Sequence, residues 1–464
     1  MLRFLFSFLF LFFSSLIYSK TDSTGFVVIN EINIIGNKVT KSYIIRREIP
    51  FHAGDTISKS EIQNKLKAAK ENLLNTSLFN FVTVDTIPSG NQRVSILITV
   101  AERWYTWPIP IFEVQERNFN TWWQTRDIDR ANYGFYLDRE NFRGRKEDLS
   151  FYFQFGYTEK FGISYKIPYL TKNQKSGAGF SVSYSRNREI PYMSFNNEPL
   201  YFKNPDKYVR EEFSGKLNFY YRSGINNSHS IVGKFVSGMV DDTLNNYTRD
   251  YFIKDDTQIQ YFSFDYSFRS DHRDSKSYPL KGYFMQMEVT QIGFGFLENE
   301  KIEVTNYYLT LKFFHKLSDR FYLSESAKVK FSPHTYQPYF VQKGLGWSDY
   351  VRSYEYYVID GQRYGLAKLG MKYEIVKPRV QEIPHLPFKK FNTFHYALYG
   401  GIFTDAGYVD DHMYSLVNPL SNTFIYGAGV GIDYVTYYDL VIRLEYSVNR
   451  KMEHGLFIHF NAGI

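Results

Sequence analysis

The sequence has no cysteine among its 464 residues, so disulfide bonds, thiolate metal sites and thiol nucleophiles are excluded. Beyond the N-terminus it has no apolar run of about 18 residues, which excludes membrane-spanning helices. It also lacks the G-x-S-x-G, H-E-x-x-H and P-loop motifs, any spacing typical of metal ligands and any nucleic-acid-binding motif. We therefore predict a protein that is not an enzyme and has no cofactor, no bound metal and no nucleic-acid partner.

Charge of one sign is not concentrated anywhere. The formal net charge is +7, and the 55 Lys and Arg residues are spread over every segment. An excess of basic residues can indicate a nucleic-acid or anionic-lipid partner. Basic residues that are dispersed along the chain are more typical of solvated loops and a polar lumen. Aromatic residues are abundant instead, with 41 Tyr and 43 Phe. Such a surplus is typical of a protein that lines two membrane interfaces.

Met1–Ser19 has the layout of a secretory signal. Arg3 supplies a charged start, Phe4–Phe13 is an apolar core, and small residues precede a cleavage position after Ser19. No second apolar helix follows. We therefore predict that residues 1–19 are a signal peptide and that the mature chain is exported and released. The alternative is a transmembrane anchor.

Residues 26–103 combine strand and helix patterns. Phe26–Ile35 alternates as a strand does, Thr40 can cap a short helix, and Ser58 with Glu61 forms a capping box before a helical apolar stripe. Two strands complete the segment: Phe79–Ile87 and Arg93–Val100. The order β-α-α-β-β predicts a small α+β domain with its helices on one face of the sheet.

This element order resembles a POTRA domain, and three short motifs support the resemblance. They are I-x-G-N at Ile34–Asn37, G-D-x-I-S at Gly54–Ser58 and V-A-E-R at Val100–Arg103. POTRA domains are periplasmic modules of outer-membrane assembly proteins. The resemblance therefore implies that residues 26–103 lie in the periplasm. The alternative is an unrelated ferredoxin-like domain.

From about residue 109 the helical pattern gives way to alternating segments. In Leu149–Tyr157 every second residue is Leu, Phe or Tyr, and the residues between them are Ser, Tyr, Gln and Gly. Strands with one apolar face and one small or polar face fit a closed transmembrane barrel, in which every backbone group pairs within the sheet. We predict an all-β transmembrane barrel at 111–464, preceded by a stiff Pro/Trp linker at 104–110. A soluble β-sandwich is the alternative.

Sixteen antiparallel strands are predicted. An even number returns the C-terminus to the side from which the chain enters. The long connections 190–207, 239–255, 332–363 and 406–422 are then extracellular, and the 376–392 turn is longer than this scheme predicts. The predicted strands are 109–117, 132–140, 147–157, 161–169, 177–189, 208–223, 228–238, 256–269, 282–292, 301–316, 320–331, 364–375, 393–405, 423–434, 439–448 and 455–464.

The loop at 332–363 has an unusual centre. Tyr350–Tyr357 sets a single arginine, Arg352, among tyrosines. Loops of about thirty residues in a compact domain tend to be functional or disordered. Because this one is too aromatic for a solvated linker, we expect it to pack against another part of the chain.

Val351, Arg352, Ser353 and Tyr354 resemble the V/I-R-G-Y loop motif of the BamA/TamA/FhaC superfamily, the bacterial surface antigen barrels. In that family the loop folds back into the lumen, and its arginine pairs with an aspartate of an F-x-D-x-G strand motif. Ser353 departs from the family pattern, which has glycine at this position. Glycine accepts a positive φ at little cost, and serine does not.

The matching strand motif runs from Phe403 to Gly407. The resemblance implies that Asp405 is the partner of Arg352, and strand alternation turns Asp405 toward the lumen. Glu374, on the inward face of the preceding strand, is a second candidate partner. We predict that the pair fastens the loop inside the barrel.

Two turns resemble further motifs of the same family. Asp271–Asp274, followed by Tyr278–Gly282, is similar to its D-x-R-D…P-x-x-G turn. Asn141–Gly144 is similar to its N-x-x-G-x-G turn, with Lys146 in place of the second glycine. Together these resemblances extend over residues 26–464.

The resemblance implies insertion or translocation of other proteins at the outer membrane. The partners it implies are unfolded outer-membrane proteins and outer-membrane lipids, with periplasmic or lipoprotein accessory subunits as further candidates. An incoming strand would pair first with the POTRA sheet and then with the seam between the first and last barrel strands. Two alternatives are a secretion pore for one partner protein, as in FhaC-type transporters, and a passive porin.

Overall fold

The structure is a computed structural model of the full chain. The predicted signal peptide lies outside the residues that it describes. Within the described part of the chain, no α-helix is long and apolar enough to cross a membrane. The described residues are 25–461, except 91, 115–120, 124–125, 127, 172, 205, 299, 383–392 and 437–439.

The N-terminal domain is a four-stranded sheet covered by two helices. In chain order its elements are β1 (Phe26–Ile35), α1 (Ser42–Glu48), β2 (Thr56–Ser58), α2 (Lys59–Leu74), β3 (Phe79–Pro88) and β4 (Arg93–Glu102). The strand order is β2-β1-β4-β3, with β1 and β4 parallel. Ile45, Leu66 and Leu73 of the helices are buried with Ile29 and Ile96 of the sheet. The predicted order is confirmed, with the three-residue β2 added.

The rest of the described chain forms a sixteen-stranded antiparallel barrel sheet, which confirms the predicted fold class and strand number. Sheet order follows chain order, except that the hairpin β10–β11 stands apart. The barrel strands are β5 (Thr106–Val114), β6 (Ala131–Phe142), β7 (Glu147–Gly156), β8 (Thr158–Ile167), β9 (Ser176–Asn187), β12 (Arg210–Arg222), β13 (Asn227–Val240), β14 (Gln258–Asp271), β15 (Gly282–Ile292), β16 (Val304–Lys316), β17 (Phe321–Phe331), β18 (Arg363–Glu382), β19 (Thr393–Asp410), β20 (Ile425–Val435), β21 (Val441–Asn449) and β22 (His454–Asn461).

The barrel wall alternates as a transmembrane strand pattern does. On β20, Tyr426, Val430 and Ile432 are about half exposed on the outer face. Glycines alternate with them, and Asp433 at the end of the strand is buried. An apolar exterior with small and polar residues inside is the arrangement that lipid requires of a barrel.

Three segments differ from the sequence-based expectations. The first barrel strand begins at Thr106, so most of the predicted 104–110 linker is strand; the prolines are tolerated because β5 ends the sheet order. β10 (Glu189–Phe195) and β11 (Glu198–Lys203) form an additional hairpin inside the 190–207 loop. The long 376–392 turn is explained in part by β18, which extends to Glu382 and pairs with β19 there.

Candidate functional site

The loop that joins β17 to β18 (332–362) packs against the inside of the barrel wall. Val351 and Tyr354, two residues of its predicted motif, are buried. Its apolar side chains form one cluster with residues of β18–β20 and the loop after β19: Leu345, Val351, Tyr354, Ile359, Tyr364, Leu366, Val409, Leu420 and Ile425. The centre of the loop therefore packs against the strands, as expected from its aromatic sequence.

Arg352 lies against two carboxylates of the barrel wall. Its Nη2 is 2.6 Å from Asp405 Oδ1, its Nε is 2.8 Å from Asp405 Oδ2, and its backbone N donates to the same Oδ2 at 3.1 Å. Its Nη1 is 3.1 Å from Glu445 Oε1 on β21. A bidentate arginine–carboxylate pair fixes orientation as well as distance, so the loop is held at a defined position.

The pair is largely shielded from water. The side chain of Asp405 is 0% exposed and that of Arg352 is 14% exposed. The guanidinium also lies 3.7 Å from the centre of the Phe403 ring, a cation–π contact. Lys368 Nζ approaches Asp405 Oδ2 at 3.8 Å from β18. Phe403, a residue of the predicted strand motif, thus contacts the guanidinium directly.

Glycines on the strands admit the loop backbone. A Cβ on Gly427 would lie 2.2 Å from the carbonyl oxygen of Arg352, and one on Gly407 would lie 2.8 Å from Val351 Cγ2. Ser353 has φ +78° and so lies in the left-handed region of backbone conformation. This region favours glycine, the residue that the family motif has at this position. Its carbonyl accepts from Asn449 Nδ2 at 3.3 Å.

Glu374 does not contact Arg352 in the structure. It is buried near the other end of β18, where the Tyr399 hydroxyl lies 3.5 Å from its Oε1. The second carboxylate on Arg352 is Glu445, which the sequence reasoning did not single out. The sequence does carry a signal for Glu445. Arg443 and Glu445 are two residues apart on β21 and so share one face of the strand, and charged side chains on a transmembrane strand are expected to face the lumen.

The two turn motifs contact the N-terminal domain. Gly144 has φ +70°, and a Cβ there would lie 2.0 Å from the Val39 carbonyl oxygen. Lys41 N donates to Gly144 O at 2.9 Å, and Asn141 Nδ2 donates to Thr40 Oγ1 at 2.9 Å. Thr40 is therefore an interdomain residue and not the predicted helix cap, since α1 starts at Ser42 with Lys41 as its N-cap.

The Asp271–Gly282 turn contacts the C-terminal end of α2. Lys276 N donates to Asn75 Oδ1 at 3.2 Å, and Lys276 Nζ donates to Asn75 O at 3.0 Å. Within the turn, Asp274 Oδ1 accepts from the backbone N of Leu280 at 3.0 Å. The turn is thus held by hydrogen bonds both within itself and to the N-terminal domain.

A third interdomain contact joins Glu48 of α1 to Arg222 at the end of β12. Arg222 Nη1 and Nη2 lie 2.7 and 2.8 Å from Glu48 Oε1 and Oε2. Tyr169 donates to Glu48 Oε1 at 3.3 Å, and the Arg47 guanidinium lies 3.9 Å from the centre of the Tyr169 ring. Burial alone would raise the pKa of the Glu48 carboxyl, but Arg222 outweighs it and lowers the pKa to about 2.

A cavity of about 840 Å³ lies between the N-terminal domain and the lumen. Side chains of both parts line it, among them Glu48, Asn72, Lys146, Tyr220 and Arg269. The N-terminal domain therefore lies across the end of the barrel that carries the short turns.

Acid is expected to release this domain from the barrel. The pKa of Glu48 is lowered from 4.5 to about 2, so its stabilising contribution is complete above about pH 4.5 and is lost as the pH falls toward 2. The shift corresponds to about 3 kcal/mol. Spin labels at Lys70 and Asp319, both exposed, should show a broadened distance distribution in that pH window.

Two variants make this measurement specific. Glu48→Gln should broaden the distance distribution already at neutral pH and remove its dependence on acid. Glu61→Gln, at an exposed position on α2, should behave as the parent chain does. A narrow distribution for Glu48→Gln at neutral pH would contradict the assigned role of the Glu48–Arg222 pair.

Two family models match the chain. The model described as POTRA, surface antigen variable number repeat, matches residues 27–103, and the Omp85 superfamily domain matches residues 141–464. No curated protein matches the chain significantly in sequence.

Solved structures align with most of the chain. CdiB from Escherichia coli aligns with a TM-score of 0.55 and 12% identity, over 94% of this chain and 75% of that one. BamA from Haemophilus ducreyi lacking POTRA domains 1–3 aligns with a TM-score of 0.49 and 15% identity, over 94% of this chain and 83% of that one. At such identities the likeness to CdiB concerns the fold alone.

Proposed function

We propose that this chain, which belongs to the Omp85 superfamily and has one POTRA domain, inserts unfolded outer-membrane proteins into the outer membrane. The barrel would span that membrane, with the POTRA domain in the periplasm. An incoming strand pairs first with the POTRA sheet and then with the seam between β5 and β22. The superfamily acts in protein insertion or secretion at the outer membrane; insertion at the seam is the specific proposal.

The observation that carries the proposal is the placement of two prolines in β5. Pro108 and Pro110 have no N–H, and residues two apart direct their N–H groups to the same edge of a strand. The ladder between β5 and β6 continues through both prolines. Since antiparallel pairing needs donors from both strands, the missing N–H groups must face away from β6, toward the β22 side. Closure at that edge lacks two donors, which favours opening there.

The POTRA sheet offers a long edge for the first pairing step. β3 has ten residues and stands at the end of the order β2-β1-β4-β3. Its second half, from Thr83 to Pro88, is mostly exposed. Main-chain hydrogen bonding to such an edge accepts many sequences, because it does not depend on the side chains of the added strand.

The contents of the lumen favour the seam over a route through the barrel. A chain passing through the lumen would have to displace the 332–362 loop and break the buried Arg352–Asp405 pair. Either charge, if it stayed buried without its partner, would cost about 3–5 kcal/mol. The N-terminal domain also lies across the other end of the lumen, where Arg222 holds Glu48.

Depletion of the protein followed by quantitative proteomics of the outer membrane tests the proposal. We expect several barrel proteins to fall together, with their unfolded forms accumulating in the periplasm. Loss of one secreted protein from the medium, with the outer-membrane proteome unchanged, would instead indicate a secretion pore. Loss of solute uptake alone would indicate a porin. The partners, including lipids and accessory subunits, would follow from cross-linking during depletion and recovery.

A further inference from the structure

Three metal-ligating side chains meet inside the barrel, next to Arg352. They are Glu355 from the loop, Glu445 from β21 and His459 from β22, and their ligand atoms all lie within 4.8 Å of one another. His459 Nε2 is 3.3 Å from Glu445 Oε2 and 3.6 Å from Glu355 Oε1. The three side chains are 1%, 3% and 9% exposed, in the order Glu355, Glu445 and His459. Among the described residues this is the one group of three or more such side chains so placed.

The imidazole of His459 is oriented toward the two carboxylates. Its Nδ1 lies 3.2 Å from the Tyr350 hydroxyl, and the two rings stack with their centres 5.8 Å apart. Its Nε2 is buried and has no hydrogen-bond partner. With the proton on Nδ1, the Nε2 lone pair would face two carboxylate oxygens, an arrangement that is repulsive unless a second proton or a metal cation lies between them. Metal-bound histidines typically have their second ring nitrogen held in this way.

Glu445 divides its two oxygens between different partners. Oε1 faces the arginines, at 3.1 Å from Arg352 Nη1 and 3.8 Å from Arg443 Nε. Oε2 faces His459. The arginines thus fix the carboxylate plane and leave Oε2 directed into the space between His459 and Glu355.

We propose that Glu355, Glu445 and His459 form a binding site for one divalent transition-metal ion, with Zn²⁺ the best fit. Tetrahedral zinc with bonds of about 2.0–2.1 Å separates its ligand atoms by about 3.3 Å, close to the 3.3 and 3.6 Å from His459 Nε2 to the two carboxylates. One nitrogen and two carboxylate oxygens would supply three ligands and leave a fourth position open. The bound ion would tie the loop directly to the last strand of the barrel.

Metal titration of the purified full-length chain tests this inference, which does not rest on the proposed function. After treatment with a chelator, the chain is titrated with Zn²⁺ by calorimetry and with Co²⁺ by visible absorption, near neutral pH. We expect one equivalent of each ion to bind and Co²⁺ to give the absorption of a four-coordinate site. Zn²⁺ should also raise the melting temperature.

The variants separate this site from surface binding. His459→Gln and Glu355→Gln should abolish binding, and Tyr350→Phe, which removes the contact to Nδ1, should weaken it by about tenfold. His454→Gln changes an exposed histidine on the same strand and should leave binding unchanged. Circular dichroism checks that each variant is folded, and if His459→Gln is not, Tyr350→Phe and Glu355→Gln decide the matter.

Two results would overturn the inference. If the parent chain binds no Zn²⁺, the position between the three side chains belongs to a proton on Nε2. If binding persists in Glu355→Gln and Tyr350→Phe but is lost in His454→Gln, the ion occupies the barrel surface instead.

Discussion

Arg352→Ala is expected to lower the free energy of unfolding by about 3 kcal/mol, the lower end of the range for a broken buried ion pair. Asp405 would keep Lys368, whose Nζ is 3.8 Å away, and the backbone N of residue 352, and Glu445 would keep Arg443 and His459. This partial compensation is why the lower end applies. The export of the chain should not change, but the loop should become accessible to protease and activity should fall. Denaturant unfolding in lipid vesicles measures the free energy of unfolding, and limited proteolysis measures the accessibility of the loop.

A second arginine, directly after the same loop, provides a matched control. Arg363 pairs with Asp410 at 3.3 Å, but both side chains are about one-third exposed, so Arg363→Ala should cost about 0–1 kcal/mol. A double-mutant cycle with Asp405→Ala isolates the coupling between Arg352 and Asp405. Equal stability of Arg352→Ala and the parent chain, with an intact loop, would refute the role of the pair as a fastener.

The barrel strands were predictable because lipid restricts what their outer faces can be. Apolar residues must alternate with small or polar ones over about ten residues, so each strand carries its own signal. β15 and β17 accordingly agree with prediction to within one residue. The Arg352–Asp405 contact followed from a resemblance, and no periodicity indicates which lumen carboxylate a distant loop arginine contacts.

The long connections between barrel strands carry no such restriction, and the hairpin within one of them was missed. The β10–β11 hairpin turns at Asn196 and Asn197, which have φ +52° and +63°. Asn-Asn between extended segments is a recognisable signal for a hairpin with positive φ, but it lay inside a segment assigned as loop. Glu355, Glu445 and His459 come from three separate elements, so no local spacing could indicate a shared metal ion.

Locking the seam should abolish activity completely and reversibly. The chain has no cysteine, so an introduced pair supplies the only thiols. Phe112 on β5 and Leu456 and Phe460 on β22 are exposed on the outer face. Cysteine at 112 would be combined in turn with cysteine at 456, 458 or 460. Alternate residues of a strand are about 6.6–6.8 Å apart, and a disulfide needs Cβ atoms about 3.5–4.5 Å apart, so the three pairs sample the register.

The same position on β5 provides the control, because Phe112 also pairs with Tyr133 on β6. A disulfide between cysteines at 112 and 133 joins two strands that are not at the seam and should leave activity intact. The seam disulfide should block assembly of new outer-membrane proteins until a reductant is added, since β5 and β22 can then no longer separate to accept a strand. Full activity with the seam locked would exclude lateral insertion and favour passage through the lumen. Loss of activity with both disulfides would show instead that β5 must move as a whole.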